Sequence, residues 1–232
     1  MTIPKLEQIP LFSGLTPAER QPILAAAHRK SVLDGEYYFL QGDPAGRIYL
    51  LEAGRIKLSQ GGEDGSQVLL RVIEAPHLFG AVGMTTSEVY PVSALAAGDG
   101  SALYWSKQEM MEFVLKLPKM ALNAIQMMSD HVQEFQERFR QLATERVERR
   151  LARTILRLAS QSGRKTDEGV LIDFPLSRQD LAEMCGTTLY TVSRTLSEWQ
   201  VKGLVVTGRE RVVVRFPHGL VRIAEDLPAL EG

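Results

Sequence analysis

Ser177 to Lys202, SRQDLAEMCGTTLYTVSRTLSEWQVK, holds two short helical patterns separated by a glycine. Ser177 precedes Asp180 by three residues, the spacing of a capping box, in which each side chain satisfies an amide left open at the helix start. Leu181, Ala182 and Cys185 follow at helical spacing, Gly186 permits a break, and Val192, Leu196 and Trp199 recur at steps of four and three. The second helix is expected to bury Val192, Leu196 and Trp199 and to turn Tyr190, Ser193, Arg194 and Glu198 away from the core. This is the layout of a helix-turn-helix, whose second helix enters the major groove of DNA. Short polar side chains beside an arginine suit base edges, because arginine bonds guanine bidentately. An ordinary pair of core helices shows the same spacing.

Beyond the second helix, Leu204-Val-Val-Thr-Gly-Arg-Glu-Arg-Val-Val-Val reads as two β-branched runs around a tight turn, a hairpin. A hairpin in this place is a wing, and Arg209 and Arg211 at its tip are positioned for phosphate oxygens. Upstream, Arg146, Arg149, Arg150, Arg153 and Arg157 crowd a helical stretch whose apolar face is Val147, Leu151, Ile155 and Leu158. That basic face is either a solvated helix surface or a DNA-facing patch. The whole chain is near neutral, with a formal charge of −1, yet residues 145–222 hold 14 Lys+Arg against 9 Asp+Glu. The positive excess falls on the part that carries the DNA motif.

At 232 residues the chain has room for two domains with separate cores. Its single cysteine, Cys185, excludes an intrachain disulfide and any iron-sulfur cluster held by several thiolates, and its helical position reads as a small core residue. The opening MTIPKLEQIPLFSGL has neither the charged head nor the apolar run of a secretory signal, and no stretch of eighteen apolar residues occurs. A cytoplasmic protein without a membrane partner is expected.

From Ser31 to about Trp105 short β-type runs alternate with Gly35, Gly42, Gly46, Gly54, Gly61, Gly62, Gly65, Gly80 and Gly83. Ile48–Glu52, Arg55–Ser59, Gln67–Ile73 and Ala102–Trp105 are the clearest strands. Regular turns of this kind argue for a jelly roll or barrel, whose interior is the default ligand pocket. A cupin-like ligand-binding or metal-dependent barrel is the rival of another class. His28, His77, His131 and His218 are scattered, however, and a metal site needs three or four converging ligands, so no metal is expected. No nucleophile, base and orienting residue assemble from the sequence either, and an enzyme is not expected.

Past Pro118 a helix of roughly Lys119 to Ala143 is free of proline and glycine. Ile125, Met128, Val132, Phe135, Phe139 and Leu142 recur along it at three, four, three, four and three, a heptad seam. So narrow a stripe favours contact with a second chain over packing against its own domain, although the β domain is the other surface that could cover it. A homodimer would set two recognition helices at adjacent major grooves of a palindromic operator in double-stranded DNA.

Barrel, long helix and winged helix in this order resemble the Crp/Fnr family of bacterial transcription regulators, from about Leu11 to Ile223. The resemblance rests on Leu11-Phe-Ser-Gly-Leu, Gly35, Gln41-Gly42-Asp43, Gly54-Arg-Ile-Lys-Leu, Leu78-Phe79-Gly80, Leu176-Ser-Arg-Gln-Asp-Leu and Thr191-Val-Ser-Arg. It implies an effector in the barrel that alters the packing of the long helices and the spacing of the DNA-reading heads. It also implies an activator that contacts RNA polymerase. By the family pattern Tyr190, Ser193 and Arg194 face bases, while Arg178, Gln179, Thr188 and Arg209 contact the backbone. Where members usually carry a glutamate and a neighbouring arginine, this chain has Tyr190 and Leu189, so the familiar half-sites do not carry over.

The resemblance also bears on the effector. The cAMP-binding members place a glutamate after the loop glycine and an Arg-Ser pair about ten residues later; here those places hold Ala81, Pro91 and Val92. Phe135 and Gln136 stand where small hydroxyl residues would reach the purine. A buried phosphate without a cation costs several kcal/mol, so cAMP is not the expected effector, and a cyclic-nucleotide-responsive regulator is the runner-up. The N-terminal cysteine cluster of the oxygen-sensing branch, with its iron-sulfur cluster, is absent. Relatives in the nitric-oxide-responsive branch use haem, which makes His77 and His131 the candidate axial ligands. An apolar effector or none at all are the other outcomes, and surface histidines are the simpler account of both residues. The expected fold is α+β: an N-terminal double-stranded β-helix (jelly-roll) sensor domain at 1–118, a dimerisation helix at 119–144 and a C-terminal winged helix-turn-helix at 145–232.

Overall fold

Alternating apolar runs cut by glycine turns form β1 (His28–Val32), β2 (Tyr37–Phe39), β3 (Arg47–Ala53), β4 (Arg55–Gly61), β5 (Gln67–Glu74), β6 (His77–Phe79), β7 (Ser93–Ala96) and β8 (Gly100–Ser106). They pair antiparallel in two four-stranded sheets, ordered β1-β8-β3-β6 and β2-β7-β4-β5, the double-stranded β-helix arrangement. The structure, a computed structural model, describes residues 6–62, 67–81 and 88–227, so Gly65 and Gly83 of the glycine series lie outside the described residues. The chain divides into two units, residues 1–135 and 136–232.

The strand period of two sorts the first unit's core into two layers. On β3, Tyr49 and Leu51 point between the sheets and join Tyr38, Phe39, Ile56, Ile73, Phe79 and Tyr90. Ile48 and Leu50 point the other way and meet Trp105, Phe12, Met110 and Met120. That outer layer is closed by single 3-10 turns at Leu6–Gln8 and Pro10–Phe12, by α1 (Pro17–Ala25) and α2 (Lys107–Lys116), and by the start of α3 (Pro118–Thr144). Trp105 Nε1 donates to the Ile23 carbonyl at 2.8 Å, so the indole is buried with its polar atom satisfied. Asn123 on α3 donates to the carbonyls of Leu11 and Ser13 at 3.0 and 2.8 Å, which ties the Leu11-Phe-Ser-Gly-Leu segment to the helix. At Gly54 φ is +90°, and a Cβ there would lie 2.7 Å from the Asp99 carbonyl oxygen, so glycine is required.

In the second unit come α4 (Val147–Ser162), β9 (Gly163–Thr166), β10 (Gly169–Ile172), α5 (Arg178–Cys185), α6 (Leu189–Val201), β11 (Val205–Gly208), β12 (Arg211–Val214) and α7 (Pro217–Glu225). The strands form one sheet ordered β11-β12-β10-β9. The hairpin β9–β10 is not among the strands read from the sequence; its partner β12 is far along the chain, with Val170 opposite Val214 and Leu171 opposite Val213, so only the folded sheet gives it a role. Leu151, Ile155 and Leu158 of α4 are buried, as the apolar periodicity of that helix predicts. Leu181, Ala182, Cys185, Val192, Leu196 and Trp199 are buried as well. Full burial of one such leucine stabilises the fold by about 2 kcal/mol.

The long helix carries its buried side chains away from the heptad seam. Met120 is buried, and Ala124 and Met127 pack on the outer core layer. Ile125, Met128, Val132, Phe135, Phe139 and Leu142 are each 51–68% exposed. Within the first unit, the strands therefore leave Ile125, Met128, Val132 and Phe135 open.

Candidate nucleic-acid interface

The capping box is formed as expected: Asp180 N donates to Ser177 Oγ at 3.0 Å and Ser177 N to Asp180 Oδ2 at 2.8 Å. α5 ends at Gly186, whose φ of +58° lets the chain turn sharply into α6. Thr188 caps α6, its hydroxyl accepting from Thr191 N at 3.2 Å. With Val192, Leu196 and Trp199 turned inward, Tyr190, Arg194 and Glu198 are exposed and Ser193 is half-buried. Arg194 reaches along the helix to Glu198, 3.7 Å away, an exposed pair that holds the guanidinium only weakly. Arg178 and Gln179 occupy the first turn of α5, Thr188 the start of α6, and Arg209 the exposed turn of the wing.

Gly208 pairs with Arg211 across the wing, leaving Arg209 and Glu210 as a two-residue turn with Glu210 at φ +50°. The Glu210 carbonyl accepts from Leu176 N at 3.0 Å, and Gln200 Oε1 accepts from both the amide and the hydroxyl of Thr207. The wing is thus hydrogen-bonded to Leu176, just ahead of the Ser177 cap of α5, and to Gln200 on α6. Arg211, the other arginine expected near the wing tip, pairs with Glu168 in the β9–β10 turn at 2.5 Å.

Three of the arginines expected on the basic face of α4 have partners within the second unit. Arg150 donates to the carbonyls of Glu145, Cys185 and Gly186 at 2.6, 2.9 and 3.3 Å. Arg153 pairs with Glu145 and Glu225, and Arg149 with Asp226 and the Ala224 carbonyl. Arg150 and Arg149 thus bond carbonyls at or beside helix ends, where acceptors lack partners, while Arg153 pairs with carboxylates. Glu145, nearly buried at the break between α3 and α4, also meets Arg140 at 3.4 Å. Nothing in the sequence around Arg150 announced this role, because its acceptors at Cys185 and Gly186 lie 35 and 36 residues away. Cys185 is buried, its thiol donates to Thr154 Oγ1 at 3.5 Å, and burial raises its pKa.

In the first unit, His77 opens β6 and pairs with Leu51 of β3. Burial, then the charge of Arg71, depresses its imidazole to about 4, with Glu134 opposing and His131 adding to the fall. Arg71 of β5 and Glu134 of α3 are 3.6 Å apart. The two histidines expected as iron ligands thus lie within electrostatic reach of each other, His77 on β6 and His131 on α3. Val92 packs against the aromatic layer between the sheets and Ala81 against the outer layer, while Pro91 is exposed. Among the described residues, no group of three or more His, Cys, Asp or Glu side chains could hold a metal ion, and no helix is long and apolar enough to cross a membrane.

Residues 149–223 match the model of the Crp-like helix-turn-helix domain, and residues 29–116 that of the cyclic nucleotide-binding domain. The chain belongs to the Crp/Fnr family. Like other Crp/Fnr proteins it is a DNA-binding transcription regulator. It is 28% identical over 215 residues to the cyclic AMP receptor protein of Thermus thermophilus, covering 93% of this chain and 96% of that protein. It is 26% identical over 198 residues to the anaerobic regulatory protein of Bacillus subtilis, covering 84% and 83%. Among solved structures, the c-di-GMP-responsive global regulator CLP of Xanthomonas campestris superposes with a TM-score of 0.75 at 20% identity, over 86% of this chain and 99% of that one, a likeness of fold.

Proposed function

We propose that this Crp/Fnr regulator acts as a homodimer on a palindromic operator. The α3 seam joins two chains, and each α6 enters a major groove. The observation that carries this reading is the coexistence on one chain of an exposed recognition-helix face and a heptad seam that its own domains leave open. Tyr190, Ser193 and Arg194 read base edges, Arg194 at a guanine; Arg178, Gln179, Thr188 and Arg209 hold phosphates. The working division is a sensor at 1–118, a dimerisation helix at 119–144 and a DNA head at 145–232, in a cytoplasmic activator that contacts RNA polymerase. Selection from random duplexes by the purified protein, with sedimentation of the complex, tests it. Enrichment of an inverted repeat with half-sites about one helical turn apart, bound by two chains, is the expected result. An asymmetric site bound by one chain overturns it.

The effector reading follows from the cluster of Arg71, His77, His131 and Glu134. A histidine held neutral at physiological pH offers a ring nitrogen to iron, so His77 would hold haem iron, with His131 the second candidate ligand. Bound there, haem would supply an iron able to take a diatomic gas. Cyclic AMP is disfavoured, since Pro91 and Val92 offer no cation to its phosphate. Protein made with iron and haem precursors should show a Soret band that His77→Ala or His131→Ala alters, and calorimetry with cAMP should show no heat of binding. A flat spectrum or a tight cAMP isotherm overturns this part.

A further inference from the structure

The first turn of α6 presents two apolar side chains where a DNA reader needs contacts. Leu189 is 48% exposed and Tyr190 74%, and neither is drawn into the core that holds Val192, Leu196 and Trp199. The helical spacing of four places Leu189 in line with Ser193, and Tyr190 in line with Arg194. The two therefore begin the same outer face whose next turn carries the polar base-reading pair. The same helix carries Thr188, Arg194 and Glu198 exposed beside them, and the DNA-reading head adds Arg178 at the start of α5 and Arg209 at the wing turn, a setting suited to a polyanion. In the major groove one base offers an apolar target, thymine, through its 5-methyl group. Leucine has no hydrogen bond to give, and the ring of Tyr190 adds apolar surface next to it.

We infer that Leu189, supported by Tyr190, reads a thymine methyl in each half-site, so that the operator carries an A·T pair beside the guanine bonded by Arg194. Specificity on this face is divided: the second turn recognises hydrogen-bonding atoms and the first recognises a methyl. The inference rests on the DNA-reading role of α6 proposed above.

Deoxyuridine, which lacks only the methyl, is the probe. The operator selected by the wild-type protein is resynthesised with each thymine in turn replaced by deoxyuridine, and affinities are measured for wild type, Leu189→Ala and Tyr190→Ala. At one thymine per half-site the replacement should weaken wild-type binding roughly fourfold, the worth of one buried methyl. Leu189→Ala should bind the two duplexes equally, and Tyr190→Ala should show a reduced difference. Leu189 is exposed, so its truncation leaves the core unaltered, and the deoxyuridine scan of the wild type does not depend on any variant folding. Binding that ignores every deoxyuridine, or a loss at deoxyuridine that persists unchanged in Leu189→Ala, overturns the inference while leaving DNA reading intact. Failure to enrich any site overturns both.

Discussion

Arg150 on α4 donates its Nε hydrogen to the carbonyl of Cys185, the last residue of α5, at 2.9 Å. The same guanidinium bonds Gly186 and Glu145, so one side chain ties the start of α4 to the end of the first helix of the DNA motif. Replacement by methionine keeps the apolar stem and removes these bonds from half-buried carbonyls. Bonds of this charged kind contribute about 1.5–3 kcal/mol each when lost singly, with part recovered by water at a half-buried site. Arg150→Met should lower the thermal midpoint of the full chain by roughly 10 °C, and Arg150→Lys should recover little, since lysine cannot span three acceptors. Calorimetry checks both variants; an unchanged midpoint would remove Arg150 from the supports of the motif.

Arg194→Ala should cut the preference for the selected operator over random DNA at least tenfold, because a bidentate arginine–guanine contact discriminates by about 1–3 kcal/mol. Binding to random DNA should hardly change. Competition gel shifts separate the two quantities.

Arg209→Ala should behave in the opposite way, weakening specific and random binding alike. Each phosphate contact adds about 0.9 to the slope of log affinity against log salt, so two lost wing contacts per dimer should flatten it by roughly 1.8. Titrations at several salt concentrations measure this directly.

Phe139→Glu places a charge in the middle of the seam on a side chain that is 66% exposed within its own chain. The folded protomer should therefore survive, by circular dichroism, while sedimentation shows one chain in place of two. A dimer that persists would move the contact elsewhere.

His77 supplies a pH dependence. Its imidazole titrates near 6.5 when unfolded and near 4 when folded, chiefly because it is buried. Between those values the unfolded chain binds more protons, so stability rises with pH. The contribution of His77 is complete above about 6.5 and is lost as pH falls toward 4. His77→Gln should flatten the melting temperature across that window, and an identical pH profile in the variant would contradict the assignment.

Much of the reading head was legible in advance because its signals are local. Ser177 and Asp180 announce a helix start, Gly186 its end, and the steps between Val192, Leu196 and Trp199 the buried face. The seam on α3 was equally plain. The fate of the α4 arginines was not: periodicity places them opposite the apolar stripe but cannot say whether that side meets water, phosphate or a carbonyl. Nor was the β9–β10 hairpin, whose two strands pair with each other and join the rest of the sheet through Val170 and Leu171 against Val214 and Val213 of β12.

The sequence by itself determined where helices start and stop, which faces are apolar and which side chains stand ready on α6, since capping and periodicity act within a few residues. Only the tertiary structure decided that Arg150 and Arg149 bond helix-end carbonyls, that Arg153 pairs with Glu145 and Glu225, that Arg211 turns to Glu168, and that Arg71, Glu134 and His131 act on His77. Those outcomes depend on groups brought together from distant parts of the chain, where burial and the shortage of partners for helix-end carbonyls set which charges are drawn inward.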